Sequence, residues 1–359
     1  MATQDTESCP NFHWDKALFY SFSHFYDKII IFSEEKKMKK VLSVIFAAVM
    51  LAAAMLLAVS CGEKKVPVIG INQLAQHGSL DNCREGFIEG LKEAGLVEDK
   101  DFVIDYQNAS GDPSIIRQIS SGFSAKNVAM MVGIATNSAI SCFAAAEDKD
   151  IPVVFIAVSD PVGAKLTEGN VTGISDLLPV TAQLELIRKM QPDAKKIGII
   201  YTLSEPNSVS TIELYKNAVK DYGFELEVVG VTEQSQVTQA VDTIIAKGVD
   251  CFTNLTDNTV VEVLPAILEK TDEAKIPVYG SEIEQVSLGC VASAGIDYIE
   301  LGKSAGKMAA KILKGEAKAS DMPYETVKDF SYYINTKAAE SFGITIPADV
   351  ASSATECGK

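Results

Sequence analysis

From Val66 onward, short β-branched apolar runs alternate with longer segments whose apolar residues recur at helical spacing. The pattern predicts strands over 66–71, 102–106, 128–134 and 153–157, and helices over 81–94, 113–125 and 137–146, the second helix with Pro113 in its first turn. Strand and helix in strict succession predict βαβ units, hence a parallel sheet covered by helices on both faces.

The pattern then begins again. Val68-Ile69-Gly70-Ile71 recurs as Lys196-Ile197-Gly198-Ile199, and Lys92-Glu93-Ala94-Gly95 as Lys220-Asp221-Tyr222-Gly223, both offset by 128 positions (198 − 70 and 223 − 95). Ala125-Lys126 matches Ala246-Lys247, and Ile151-Pro152-Val153 matches Ile276-Pro277-Val278, at slightly shorter offsets. The expected fold class is therefore α/β, with two similar doubly wound parallel-sheet lobes joined by a hinge.

A different apolar pattern precedes these units. Met38-Lys39-Lys40 leads into an apolar run over 41–59 that ends at Ser60-Cys61-Gly62: a basic n-region, an h-region and a small-residue cleavage site. A membrane-spanning helix is the alternative, since the run is near the ~20 residues that a bilayer requires. The run is Ala-rich and meets no basic stop-transfer cluster. Leu57-Ala58-Val59-Ser60-Cys61 resembles a bacterial lipobox, which implies cleavage before Cys61 and diacylglycerol on its sulfur. Residues 1–37 read either as a mis-assigned extension, with translation starting at Met38, or as an extended leader. Without 1–60 the mature chain has roughly 300 residues, no tryptophan (Trp14 is the only one) and a single histidine, His77.

Charge and cysteine content narrow the chemistry. A net charge of −16 and no basic stripe exclude nucleic acid as an expected partner. The seven cysteines have no CxxC spacing, so neither a zinc site nor a disulfide framework is predicted, and Cys142, Cys251 and Cys290 read as small core residues. There is no nucleophile elbow, Walker loop or metal-ligand cluster, so neither catalysis nor a cofactor is expected. His77 reads as an acid or base without an evident orienting partner, or as a polar loop residue.

In open parallel sheets, ligands lie beyond the carboxyl ends of the strands, and two facing lobes would direct those loops into one cleft. The predicted strand ends are Asn72-Gln73 with His77, Asn108, Ala135-Thr136-Asn137-Ser138 and Ser159-Asp160-Pro161 in the first lobe. In the second they are 202–208, with Glu205, Asn207 and Ser208, then Thr256-Asp257-Asn258 and Ser281-Glu282. Ser, Thr, Asn and Asp at these places also read as helix caps. As ligand contacts, Thr136-Asn137-Ser138 at a helix start suits a carboxylate, while Asp160, Glu205, Asp257 and Glu282 suit an ammonium group or hydroxyls. A zwitterionic, amino-acid-like ligand fits both sets.

Several runs carry a family resemblance: Ile71-Asn72-Gln73 with His77 and Leu80-Asp81; Tyr106-Gln107-Asn108-Ala109 with Gly111-Asp112; Ser159-Asp160-Pro161-Val162-Gly163-Ala164; Thr172-Gly173-Ile174-Ser175-Asp176; Glu205-Pro206-Asn207-Ser208; and Gly295-Ile296-Asp297-Tyr298. In this order they resemble the ABC-transporter substrate-binding family that includes tryptophan/tyrosine-type binding lipoproteins. The chain departs from the common pattern at Gly78, Asn137 and Cys290. The resemblance implies a type I periplasmic-binding fold, an extracytoplasmic place on the membrane through the Cys61 anchor, and partnership with an ABC permease and its ATPase. It also implies an amino-acid-sized ligand, with an aromatic amino acid as the family-based expectation; Phe155 or Tyr201 could stack on such a ligand, but their positions equally suit core packing.

The expected organisation is an extension over 1–37, a signal peptide over 38–60, a tether over 61–65, lobe 1 over 66–174 and 299–325, lobe 2 over 175–298 and 326–352, and a tail over 353–359. A sensor subunit binding the same ligand, or a lipid-anchored enzyme, are the other functional classes considered.

Overall fold

The computed structural model describes residues 37, 38, 40, 43–45, 65–327 and 330–358. Contacts divide the chain into the units Met1–Lys65 and Val66–Lys359. In the first unit residues 37, 38, 40 and 43–45 are helical and exposed; Cys61 and most of the expected leader lie outside the described residues. Among the described residues no helix is long and apolar enough to cross a membrane.

The second unit contains two lobes. Lobe 1 begins with β1 (Val68–Gln73), α1 (Gly78–Glu93), β2 (Val103–Asn108), α2 (Pro113–Lys126), β3 (Met130–Ile134), α3 (Thr136–Ala146), β4 (Val153–Ile156) and β5 (Val171–Ser175). Lobe 2 follows with α4 (Val180–Met190), β6 (Lys196–Thr202), α5 (Pro206–Ala218), β7 (Glu225–Val231), α6 (Val237–Ala246), β8 (Cys251–Thr253), α7 (Asn258–Glu262), α8 (Leu264–Glu273), β9 (Val278–Tyr279), α9 (Ile283–Leu288) and β10 (Ala292–Gly295). The chain returns to lobe 1 for α10 (Tyr298–Leu313) and β11 (Glu325–Thr326), then closes lobe 2 with β12 (Ser331–Ile334), α11 (Thr336–Ser341), α12 (Ala348–Ala351) and β13 (Thr355–Glu356).

The first sheet has six parallel strands in the order β11-β5-β4-β3-β1-β2. Its central strands are buried on both faces, which is why they read as unbroken apolar runs rather than alternating ones. The second sheet has four parallel strands, β7-β6-β8-β9. Along β6, Ile197 and Ile199 join the core under α4 and α5, whereas Ile200 joins the core under α6 and α8. Successive side chains thus feed opposite faces. The repeated Gly70 and Gly198 have the same cause: a Cβ on Gly70 would fall 2.6 Å from the Phe123 ring of α2, and one on Gly198 2.4 Å from Ile244 of α6. Each lobe presses an apolar helix side chain onto bare backbone at the same place.

One departure from an all-parallel pattern occurs. β10 pairs antiparallel with β12, and β12 then pairs parallel with β13. β12 enters from lobe 1 while β10 leaves toward it, so the two must run in opposite directions.

The lobes are joined three times: after β5, between β10 and α10 through Ile296 and Asp297, and between β11 and β12. On its return α10 lies along α1 almost backbone to backbone. A Cβ on Gly86 would sit 2.2 Å from the Ile299 carbonyl oxygen, and one on Gly90 2.3 Å from that of Lys303. The helices therefore run parallel, with their N-termini, next to His77 and Asp297, at the same end.

Candidate functional site

That end opens into a cleft between the lobes. Lobe 1 lines it with His77, Ser79, Leu80, Ala135 and Ala157, and lobe 2 with Asn207, Thr256, Asp257, Asn258, Val261, Glu282 and Gln285; Asp176 and Tyr298 come from the crossovers. The space between them, open mouth included, is about 330 Å³, of which only about 20 Å³ is enclosed cavity, room for about one water molecule, so the lobes stand nearly shut. Among the described residues no group of three His, Cys, Asp or Glu side chains is placed to hold a metal ion.

Local backbone geometry sharpens the lobe 1 side. Ala135 and Ala157, at the ends of β3 and β4, adopt φ values of 73° and 59°, a region that costs a non-glycine residue about 1–3 kcal/mol and concentrates at functional sites. The turn at Ala135 starts α3, of eleven residues, and leaves the first-turn N–H groups of Thr136, Asn137 and Ser138 without intrahelical partners. Thr136 is buried, and its Oγ1 has no hydrogen-bond partner. Ser138 is instead engaged with Asn72, its Oγ donating to Oδ1 at 3.4 Å. Asn137 reaches across the cleft, donating from Nδ2 to the Ser204 carbonyl at 3.4 Å.

The lobe 2 carboxylates are heavily occupied. Glu205 accepts from Asn258 N (2.9 Å), Asn258 Nδ2 (2.8 Å), Thr259 N (2.9 Å) and Thr259 Oγ1 (2.8 Å), so it caps α7 from another loop. Asp257 caps the same helix through Val260 N at 2.9 Å and also accepts from Thr202 N at 2.6 Å and Thr202 Oγ1 at 2.8 Å. Burial, reinforced by the neighbouring negative charge of Glu205, pushes the Asp257 carboxyl up to about 7. Glu282 caps α9 through Glu284 N and Gln285 N, at 2.6 and 3.1 Å. Its burial, and then the adjacent Glu284, raise its carboxyl well above the ordinary range. Asn207 donates to the Thr256 carbonyl at 2.9 Å and, at 3.4 Å, to the Ser208 hydroxyl.

Of the expected contacts, Asn207, Asp257, Asn258 and Glu282 line the cleft, whereas Thr136, Asn137, Ser138, Glu205 and Ser208 stand behind or beside the lining, and Gln73 and Asp160 are engaged elsewhere. Gln73 donates to Ala75 O and Asp81 Oδ1 and accepts from Arg84, which ties the end of β1 to α1. Asp160 closes a turn by accepting from Gly163 N at 2.8 Å. The stacking expectation for Phe155 and Tyr201 is not met by the lining: Phe155 is fully buried in the lobe 1 core and Tyr201 packs against the lobe 2 core.

The closed mouth is held across the lobes. His77 Nε2 lies 3.1 Å from Asn258 Oδ1, and Asn82 Nδ2 donates to Glu284 Oε1. His77 thus has a partner from the opposite lobe, while its Nδ1 has none. Burial keeps its ring below the usual histidine range, against the opposing effects of the Asn258 bond and the nearby Glu205, Asp81 and Glu284.

Among the lining residues that the sequence reading did not put forward as contacts, Asp176 and Tyr298 form a pair. Asp176 accepts from Ser159 Oγ and Tyr298 Oη, both at 2.8 Å. The available signal was Ser175-Asp176, which repeats the Ser159-Asp160 pair of the preceding strand end.

Residues 68–357 match the model of the family described as ABC transporter substrate binding protein. The chain belongs to that family. A curated relative, the tyrosine-binding protein of Clostridioides difficile (strain R20291), is 36% identical over 318 residues, covering 83% of this chain and 91% of that one. A solved ABC domain from Streptococcus pneumonia in complex with L-Trp is 35% identical, with a TM-score of 0.77, over 81% of this chain and 99% of that one. A ligand-free, open substrate-binding protein with adhesive properties from Clostridium difficile is also 35% identical, over 82% of this chain and all of that one, with a TM-score of 0.62. This solute-binding protein therefore has the type I periplasmic-binding fold.

Proposed function

We propose that this solute-binding protein captures a small α-amino acid, aromatic by kinship, between its lobes, without turning it over, and presents the closed form to a membrane permease and its ATPase for import. The observation that carries this reading is a cleft lined from both lobes, in which buried carboxylates face a strained helix start whose Thr136 Oγ1 lacks a partner. The N-terminus of α3 suits a carboxylate, and the acidic lining suits an ammonium group. A ligand that engages both lobes stabilises the closed state selectively, which gives a transporter a form to recognise. The proposed ligand contacts are Thr136, Asn137, Asn207, Asp257, Asn258 and Glu282, and the proposed hinge lies in the three crossovers.

Titration with L-tryptophan and L-tyrosine tests this directly, because the mature chain contains no tryptophan and indole fluorescence then reports the ligand alone. Saturable binding is expected, with a melting temperature that rises with ligand concentration. No saturation by any of the common amino acids, or recovery of chemically altered ligand, overturns the reading.

The same proposal places the protein outside the cytoplasm on a diacylated Cys61, two acyl chains giving the stable attachment that one does not. Labelled palmitate should enter the wild-type protein and not Cys61→Ser. Equal labelling of both, or of neither, overturns the anchor and leaves the ligand reading standing.

A further inference from the structure

An ionised carboxylate offers about four acceptor positions, which allows the cleft carboxylates to be compared. Glu205 receives four well-formed donors, two on each oxygen. Asp257 receives three, with the Ser208 hydroxyl as a further neighbour. Both are committed to holding α7 and the end of β6. Glu282 receives one N–H on each oxygen, but Glu284 stands beside it and disfavours its negative charge.

Asp176 differs from all three. It is 2% exposed and lines the cleft, yet among the described residues its only side-chain partners are two hydroxyls, one per oxygen. Burial raises the Asp176 carboxyl from its ordinary range, the donating hydroxyls of Tyr298 and Ser159 oppose that by favouring the ionised form, and each oxygen keeps a free lone pair. Asp176 is thus the cleft carboxylate with unfilled acceptor positions and no acidic neighbour competing for its charge.

We propose that Asp176, oriented by Ser159 and Tyr298, is the residue that receives the ligand's ammonium group. This rests on the amino-acid reading above and changes where the ligand is held. Asp176 opens the first crossover and Tyr298 follows the second, so the amino group binds at the hinge rather than on the lobe 2 loops. Tyr298 is a positioning residue, acting through the carboxylate it orients.

The test compares L-tryptophan with 3-(indol-3-yl)propanoate, which lacks the amino group, by calorimetric titration of wild type, Asp176→Asn and Tyr298→Phe. Wild type should prefer the amino acid by about 10- to 100-fold, the size of a hydrogen bond to a charged group. Asp176→Asn should bring the two ligands within about 3-fold, by losing the amino acid while keeping the analogue. Tyr298→Phe should weaken the amino acid by less than about 10-fold and retain the preference. A merely structural role for Asp176 weakens both ligands alike, and an undiminished preference in Asp176→Asn overturns the assignment. Should that variant not fold, a crystal structure of the wild-type complex decides: ammonium nitrogen within about 3.2 Å of the Asp176 carboxylate supports it, and ammonium on Asp257, Glu205 or Glu282 instead overturns it. Wild type that binds no amino acid at all overturns the underlying reading, a result visible before any substitution is made.

Discussion

The two lobes share a frame and differ where they face each other. In both, a central parallel strand carries a glycine under a helix, Gly70 beneath Phe123 and Gly198 beneath Ile244. At the cleft the resemblance ends. Lobe 2 meets it with carboxylates that satisfy its own helix starts, Glu205 and Asp257 together supplying the N-terminus of α7. Lobe 1 meets it with strained turns at Ala135 and Ala157 and with polar atoms, His77 Nδ1 and Thr136 Oγ1, that have no partner. Glu205 and Asp257 are thus taken up by the protein's own helix start, whereas the start of α3 leaves a buried hydroxyl without a partner.

This contrast can be broken experimentally, and the largest effect should come from lobe 2. Glu205→Ala removes every acceptor for Asn258 N and Thr259 N, and buried N–H groups left unsatisfied cost about 1–3 kcal/mol each. A stability loss of about 2–6 kcal/mol is expected in denaturant melts. A loss below about 1 kcal/mol would mean that lobe 2 is not braced in this way.

Asp257 provides a test through pH. Its carboxyl sits at about 7 in the folded protein, against about 3.9 in an unfolded chain. Between those values the folded state binds more protons than the unfolded one. Its contribution to stability is therefore full below about pH 4 and is lost as pH rises through 7, with a slope of at most about 1.4 kcal/mol per pH unit. Stability measured across this window should fall less steeply in Asp257→Asn than in wild type. Parallel curves would show that Asp257 titrates as an ordinary carboxyl.

The smallest expected effect on stability belongs to lobe 1. Thr136→Val replaces an unpartnered hydroxyl with a methyl group of similar shape, so stability should change by no more than about 0.5 kcal/mol. Affinity should fall by about 1 kcal/mol, the worth of one hydrogen bond. Destabilisation with affinity intact would place Thr136 among the structural residues instead.

Much of this frame could be read along the chain. The 128-residue repeat located β1 and β6, and the repeated Gly95 and Gly223 have φ values of 85° and 72° as helix-terminating residues. Pro113 stands at the first position of α2, after the capping Asp112. The family was also legible, because its runs fall at strand ends whose spacing the fold dictates. β5 was not read as a strand, since Thr172-Gly173 interrupts its apolar run. Gly173 is needed there because a Cβ would lie 2.2 Å from the Phe155 carbonyl oxygen. Missing that strand concealed Asp176 at its end.

Local periodicity, turn chemistry and the internal repeat belong to the sequence alone, because each depends on residues a few positions apart or on direct copying of a pattern. The occupancy of the cleft carboxylates does not. Glu205 and Asp257 look equally available as acidic residues on loops, and only packing brings Thr259 and Thr202 within hydrogen-bond range of them. Tyr298 reaches Asp176 across 122 residues, and His77 meets Asn258 across 181. No sequence window contains these pairs. A carboxylate's remaining capacity is fixed by the donors that surround it, and those donors are gathered by the tertiary structure.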